Sequence, residues 1–214
     1  MPDAANFCLV LERLGISPDS QVVVYDAADG AMAAARFWWL LKLLGHARVA
    51  VLDGGFARWT SLGLPVTTDA SAPARGHYDS SFDTTQIVGT DEVADALREG
   101  SACLIDARAA ERFRGDVEPL DRAAGHIPGA RNRPFSLNMS EGRFRSPQEL
   151  KAGFDAITDN REASQVVLSC GSGVTACHNL LAMEHAGLHG ARIYAGSWSA
   201  WVSDPARPVA TGPE

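Results

Sequence analysis

Cys170 heads the segment Cys170-Gly171-Ser172-Gly173-Val174-Thr175, in which a thiol is followed by small and hydroxyl residues and by no basic side chain. The run before it, Gln165-Val166-Val167-Leu168-Ser169, is β-branched and apolar and reads as a buried strand. The stretch after it, from Val174 to Ala186, is apolar at helical spacing and stops at Gly187. The thiol is therefore predicted between the carboxyl end of a strand and a helix N-terminus, where open α/β sheets bind ligands. Gly171 and Gly173 let consecutive backbone N–H groups turn toward one point, and the helix adds its positive end. Such a loop is a cradle for an anion, and a thiolate or the persulfide formed from it is an anion that fits. The alternative, a buried cysteine that only fills space, explains the glycine loop less well.

Two other thiol chemistries need residues that are missing. A cysteine-dependent phosphatase places an arginine after five intervening residues, and that position is Ala176. A dithiol oxidoreductase needs CxxC, whereas Cys177 falls seven residues on, inside the predicted helix. Cys177 reads as a packing residue, with a regulatory partner for Cys170 as the alternative. Cys8 and Cys103 complete the set; no metal-ligand spacing occurs, and free thiols, with no metal or organic cofactor, are expected.

The elements around the loop occur twice. Gln21-Val22-Val23-Val24-Tyr25-Asp26 repeats the strand that ends at Cys170, and a helical stretch from Ala33 to Leu44 with a stop at Gly45 follows it. A second strand comes next in each copy, Val49–Leu52 and Ala191–Tyr194, and each ends in a glycine turn with spaced aromatics, Gly54 to Trp59 and Gly196 to Trp201. Asp26 stands where Cys170 stands, and a carboxylate cannot carry sulfur, so the second copy alone is expected to be active. Before Gln165 the second copy holds a further half-domain, with helices near Asp91–Arg98, Ala109–Phe113 and Pro147–Ile157 and a strand at Cys103–Ile105. Only residues 1–20 precede Gln21. The expected organisation is a partial, inactive domain over 1–72, a Pro/Gly/Ser-rich linker over 73–86, and a catalytic α/β domain over 87–214 with a parallel sheet flanked by helices. A sheet shortened in this way exposes an edge and apolar surface, from which self-association as a homo-oligomer is expected.

Composition narrows the partners. Hydrophobic residues make up 46% and charged residues 21% of 214 residues, a globular balance. The net charge of −7 with scattered arginines argues against nucleic-acid binding. No run approaches the about 18 apolar residues of a membrane span, and Met1-Pro2-Asp3 lacks the basic start of a secretory signal. A cytoplasmic protein with no membrane contact is the expectation.

At these residues the chain resembles the rhodanese superfamily, specifically its two-domain sulfurtransferases. The loop from Cys170 to Cys177, the segment Gly125-His126-Ile127-Pro128-Gly129-Ala130, the pattern Asp106-Ala107-Arg108 with Arg112-Phe113, and Gly196-Ser197-Trp198 carry the resemblance. It implies two α/β domains and transfer of a sulfane sulfur through Cys170. The neutral Gly-Ser-Gly loop is similar to that of members that use 3-mercaptopyruvate, whereas members that use thiosulfate carry basic residues there. A neutral loop suits a monocarboxylate held by a separate arginine, and the resemblance makes that arginine Arg112. It further implies a catalytic part for Ser172, substrate contacts from the backbone of Gly171, Gly173, Val174 and Thr175, a structural His126, bracing by Asp106 and Arg108, and a thiol acceptor such as thioredoxin or a small thiol. Arg122 is the one candidate for a second substrate arginine. A non-catalytic module that binds an anion or a partner is the competing class.

Overall fold

The computed structural model describes residues 1–213, and the two copies form two units that divide between Thr84 and Thr85. In the first unit, helix α1 (Ala4–Arg13) leads to strand β1 (Val22–Val24), helix α2 (Ala33–Leu43), strand β2 (Val49–Val51) and helix α3 (Gly55–Ser61). Asp3 caps α1 by accepting the Asn6 amide at 2.8 Å. β1 and β2 pair in parallel, Val22 opposite Val49. Their core is aromatic and aliphatic: Leu11, Trp39 and Leu41 are fully buried, and Phe7 meets Phe37 edge to face at 5.3 Å.

Residues 73–86 are not a linker. The Gly76 amide donates to the Glu12 carbonyl at 2.9 Å, Arg75 pairs with the Glu12 carboxylate at 2.6 Å, and Ser80 Oγ donates to the Leu44 carbonyl at 3.0 Å. Tyr78 is buried and its hydroxyl meets His46 Nδ1 at 2.9 Å. The segment through Asp83 is thus a strap on the first unit. Its Pro and Gly content set the turns of an extended path, and one aromatic anchor and the backbone hydrogen bonds hold it down.

The second unit runs α4 (Thr90–Glu99), β3 (Cys103–Asp106), α5 (Ala110–Arg114), β4 (Ala130–Asn132), a short antiparallel pair β5 (Met139–Ser140) and β6 (Arg143–Phe144), α6 (Pro147–Thr158), β7 (Val166–Ser169), α7 (Thr175–His185), β8 (Arg192–Ile193) and α8 (Ser197–Trp201). The main sheet is parallel in the order β4-β3-β7-β8. Every residue of β3 and β7 is buried, as expected for central parallel strands covered on both faces. Leu104 and Val167 join Phe113, Tyr194, Trp198 and Trp201 in one cluster. Ile105 and Leu168, the next residues along each strand, point to the opposite face, and both are fully buried. Each such side chain contributes about 1.5–3 kcal/mol on burial. α6 begins with a reciprocal cap in which Ser146 Oγ accepts the Glu149 amide and the Glu149 carboxylate accepts the Ser146 amide.

The sequence repeat is a structural one, with β1, α2 and β2 standing for β7, α7 and β8. Val167 and Ser169 are buried, but their counterparts Val23 and Tyr25 are 54% and 58% exposed. In the second unit β7 has β3 beside it, whereas among the described residues β1 pairs with β2 alone.

Candidate active site

Cys170 follows β7 directly, and the chain then turns through Gly171–Val174 into α7. The thiol is 3% exposed. The Gly173 amide donates to Cys170 Sγ at 3.1 Å, one donor of the kind the expected cradle requires. The turn depends on Gly173: its φ is +78°, and a Cβ there would stand 2.5 Å from the Ala195 carbonyl oxygen. The amides of Gly171, Ser172 and Val174 donate to no protein acceptor among the described residues.

The α8 turn holds the loop from behind. Ser197 is fully buried and adopts φ +51°, a conformation that a non-glycine residue keeps only where its surroundings demand it. Its hydroxyl accepts the Cys170 amide at 3.0 Å and donates to the Tyr194 carbonyl at 2.8 Å. The Trp198 amide donates to the Cys170 carbonyl at 3.0 Å, and the Ser199 amide and hydroxyl both reach the Gly171 carbonyl at 2.9 Å. These donors engage the Cys170 and Gly171 carbonyls.

Arg112, on α5, reaches the same loop. A Cβ on Gly171 would lie 3.6 Å from Arg112 Nη1 and 3.7 Å from Nη2. Glycine at 171 therefore leaves the space between guanidinium and thiol loop unfilled. The side chain is held by carboxylates that motif reading missed. Nη2 donates to Glu118 at 2.6 Å and lies 3.6 Å from Asp121, while Nε is buried without a partner. Glu118 also pairs with Arg108 at 3.3 Å, and Arg108 pairs with Asp106 at 2.7 Å, donates to the Gly125 carbonyl at 2.7 Å and lies over Trp198. The bracing assigned to Asp106 and Arg108 is this buried network, which leads to Arg112 through Glu118.

Burial pushes the Glu118 carboxyl upward, but the hydrogen bonds from Arg112 and from the Leu120 and Asp121 amides outweigh it and hold the group below its ordinary value of 4.5. A lowered folded value means that this contribution to stability is present above pH 4.5 and is lost as the pH falls through the folded value. The melting temperature of the natural chain should therefore drop more steeply on acidification below that point than that of Glu118→Gln. Parallel melting curves would refute the linkage.

The remaining sequence candidates separate cleanly. Ser172 is exposed, and Val174 and Thr175 are half-buried at the helix entrance. His126 is buried, stacks on Phe113 at 3.8 Å and pairs through Nδ1 with the Phe113 carbonyl at 2.8 Å, which makes it a structural residue. Arg122 is exposed. Cys177 donates to the Gly173 carbonyl at 3.2 Å and is fully buried. Burial pushes the Cys103 thiol up, which suits a packing residue. In the first unit the Asp26 carboxylate accepts the amides of Ala28, Gly30 and Ala34 at 3.1, 2.9 and 3.3 Å. That cradle is filled by its own side chain.

The rhodanese-like domain family model matches residues 3–62 and 89–204. A probable 3-mercaptopyruvate sulfurtransferase of Pseudomonas aeruginosa is 47% identical over 214 residues, covering 99% of this chain and 75% of the relative. A thiosulfate sulfurtransferase of Gallus gallus is 36% identical, covering 94% and 70%. The crystal structure of the 3-mercaptopyruvate sulfotransferase of Escherichia coli superposes with a TM-score of 0.78 at 34% identity, covering 91% of this chain and 72% of that one. No helix of the described residues is long and apolar enough to cross a membrane.

Proposed function

The chain belongs to the rhodanese family of sulfurtransferases, and on that premise we propose that it takes a sulfane sulfur from 3-mercaptopyruvate onto Cys170 and passes it to a thiol. The observation that carries this reading is the pairing of a thiol cradled by the Gly173 amide with the guanidinium of Arg112 across Gly171. One takes the sulfur, the other the carboxylate.

The Cys170 thiolate attacks the sulfur of the donor. The new S–S bond forms as the C–S bond breaks, and the electron pair leaves on carbon as the enolate of pyruvate. The proton of the donor thiol, no longer held once the persulfide ionises, balances the protonation of that carbon, and Ser172 relays it. The open amides of Gly171, Ser172 and Val174 receive the negative charge of the outer sulfur. An acceptor thiolate, from a small thiol or thioredoxin, then attacks the outer sulfur and releases the Cys170 thiolate.

The choice of donor rests on charge. The loop carries no Lys or Arg, and Arg112 shares its site with Glu118 and Asp121. This balance favours one negative charge over the two of thiosulfate. Relatives named thiosulfate sulfurtransferase, such as that of Gallus gallus, keep the second donor in view. Pyruvate release from 3-mercaptopyruvate with and without acceptor thiol, beside thiocyanate formation from thiosulfate and cyanide, decides between them. Acceptor-dependent pyruvate at the higher rate is the expected result; a faster thiosulfate reaction reverses the assignment of donor.

A further inference from the structure

A cavity of about 630 Å³ lies between α6 and the segment after β4, lined by Arg133, Arg145 and Glu149 and by the small α6 residues Ala152, Gly153 and Ala156. It includes no residue of the Cys170 loop. Arg133 is only 5% exposed, and a buried arginine ordinarily faces a carboxylate. Here none pairs with it among the described residues. Nη1 donates to Asn138 Oδ1, and the guanidinium lies over the Phe154 ring at 3.8 Å. The Nε and Nη2 groups have no acceptor among the described residues. That edge is the fork that grips an oxyanion through two parallel hydrogen bonds.

The fork faces Gly153: a Cβ there would stand 3.3 Å from Nη2 and 3.8 Å from Nε. Glycine inside α6 costs helix stability relative to alanine, and a Cβ at this position would crowd the guanidinium. Burial, with the charge of Arg145 adding to it, lowers the Arg133 pKa to about 10, so the group remains charged at neutral pH. The acidic group on the cavity wall, Glu149, is engaged by the Ser146 amide and hydroxyl and lies 3.6 Å from Arg145.

We propose that this cavity is a second anion site, in which a small oxyanion, a carboxylate or a phosphate, takes the Nε–Nη2 edge of Arg133 and faces Arg145 with its remaining charge. The test titrates inorganic phosphate and acetate separately into the full chain and follows the Gly153 amide and the Arg133 Nε–H by ¹H–¹⁵N NMR. Saturable movement of both signals by either anion is expected, and the anion that saturates at the lower concentration identifies the headgroup. Arg133→Met should weaken binding by at least about tenfold, the loss of one charge-assisted pair. Arg145→Gln, at a half-buried position, should weaken it by about threefold. Glu149→Gln should tighten it. Unmoved Gly153 and Arg133 signals, or unchanged affinity in Arg145→Gln together with Arg133→Met, overturn the site. Should Arg133→Met fail to fold, Arg145→Gln and Glu149→Gln with opposite effects carry the test alone, and no change in either overturns it.

Discussion

Cys170→Ser removes acceptor-dependent pyruvate release and leaves the fold in place. Serine fits the same buried space and can accept the Gly173 amide, so the β7–α7 turn and its Ser197 and Trp198 contacts persist. What is lost is the chemistry. A hydroxyl is not ionised at neutral pH, and an oxygen nucleophile yields no persulfide. Turnover should fall by more than about a thousandfold, the scale on which removal of a covalent nucleophile acts. Mass spectrometry of the natural chain after donor treatment should show the mass of one added sulfur on the peptide that contains Cys170, and the serine variant should show none. Turnover retained by the variant, or sulfur found on Cys177 instead, would sink the mechanism. An intact chain that accepts no sulfur from either donor would favour the non-catalytic module.

The second large effect belongs to Arg112. Arg112→Met removes the guanidinium near Gly171 while keeping much of the stem volume, and kcat/KM for 3-mercaptopyruvate should fall by about ten- to a hundredfold, the worth of a bidentate charge-assisted pair. The loss should sit mainly in KM, because the carboxylate is bound equally before and during C–S cleavage. Arg112→Lys keeps the charge and loses the fork, so it should fall between the two. The same Arg112→Met change leaves Glu118 and Asp121 with one cation fewer, since Glu118 retains only Arg108. A lower melting temperature must accompany the kinetic loss. Unchanged KM in a folded Arg112→Met variant would assign the arginine to the ion-pair network alone.

These two residues show how differently the parts of the site were written. The placing of Cys170 is local: a β-branched run, a thiol, glycines and a helical stretch lie within one short segment, and such a run sets the order strand, loop and helix on its own. The expectation of an inactive first copy rests on the same locality, since Asp26 occupies the same place in the same pattern. In the structure the carboxylate is bound by the loop amides of Ala28 and Gly30 and by the Ala34 amide of α2 instead of standing off as a repelling charge.

What the tertiary structure alone decided is which charges meet. Glu118 and Asp121 lie in an irregular stretch between α5 and β4, where no periodicity predicts direction, yet they set the electrostatics around Arg112. Ser197 supports the Cys170 amide from 27 residues away and in a left-handed conformation, a pairing made only when β7 and β8 lie side by side. The strap through Tyr78 has the composition of a linker, and it is fixed to the first unit by partners at Glu12, Leu44 and His46. Arg133 likewise reads as an ordinary surface residue until the fold buries it beside Gly153 of α6. Local backbone chemistry is encoded over a few residues, whereas ion pairs and burial depend on contacts between segments far apart in the chain. The sequence therefore placed a thiol between a strand and a glycine loop, and the fold determined the charge balance around it.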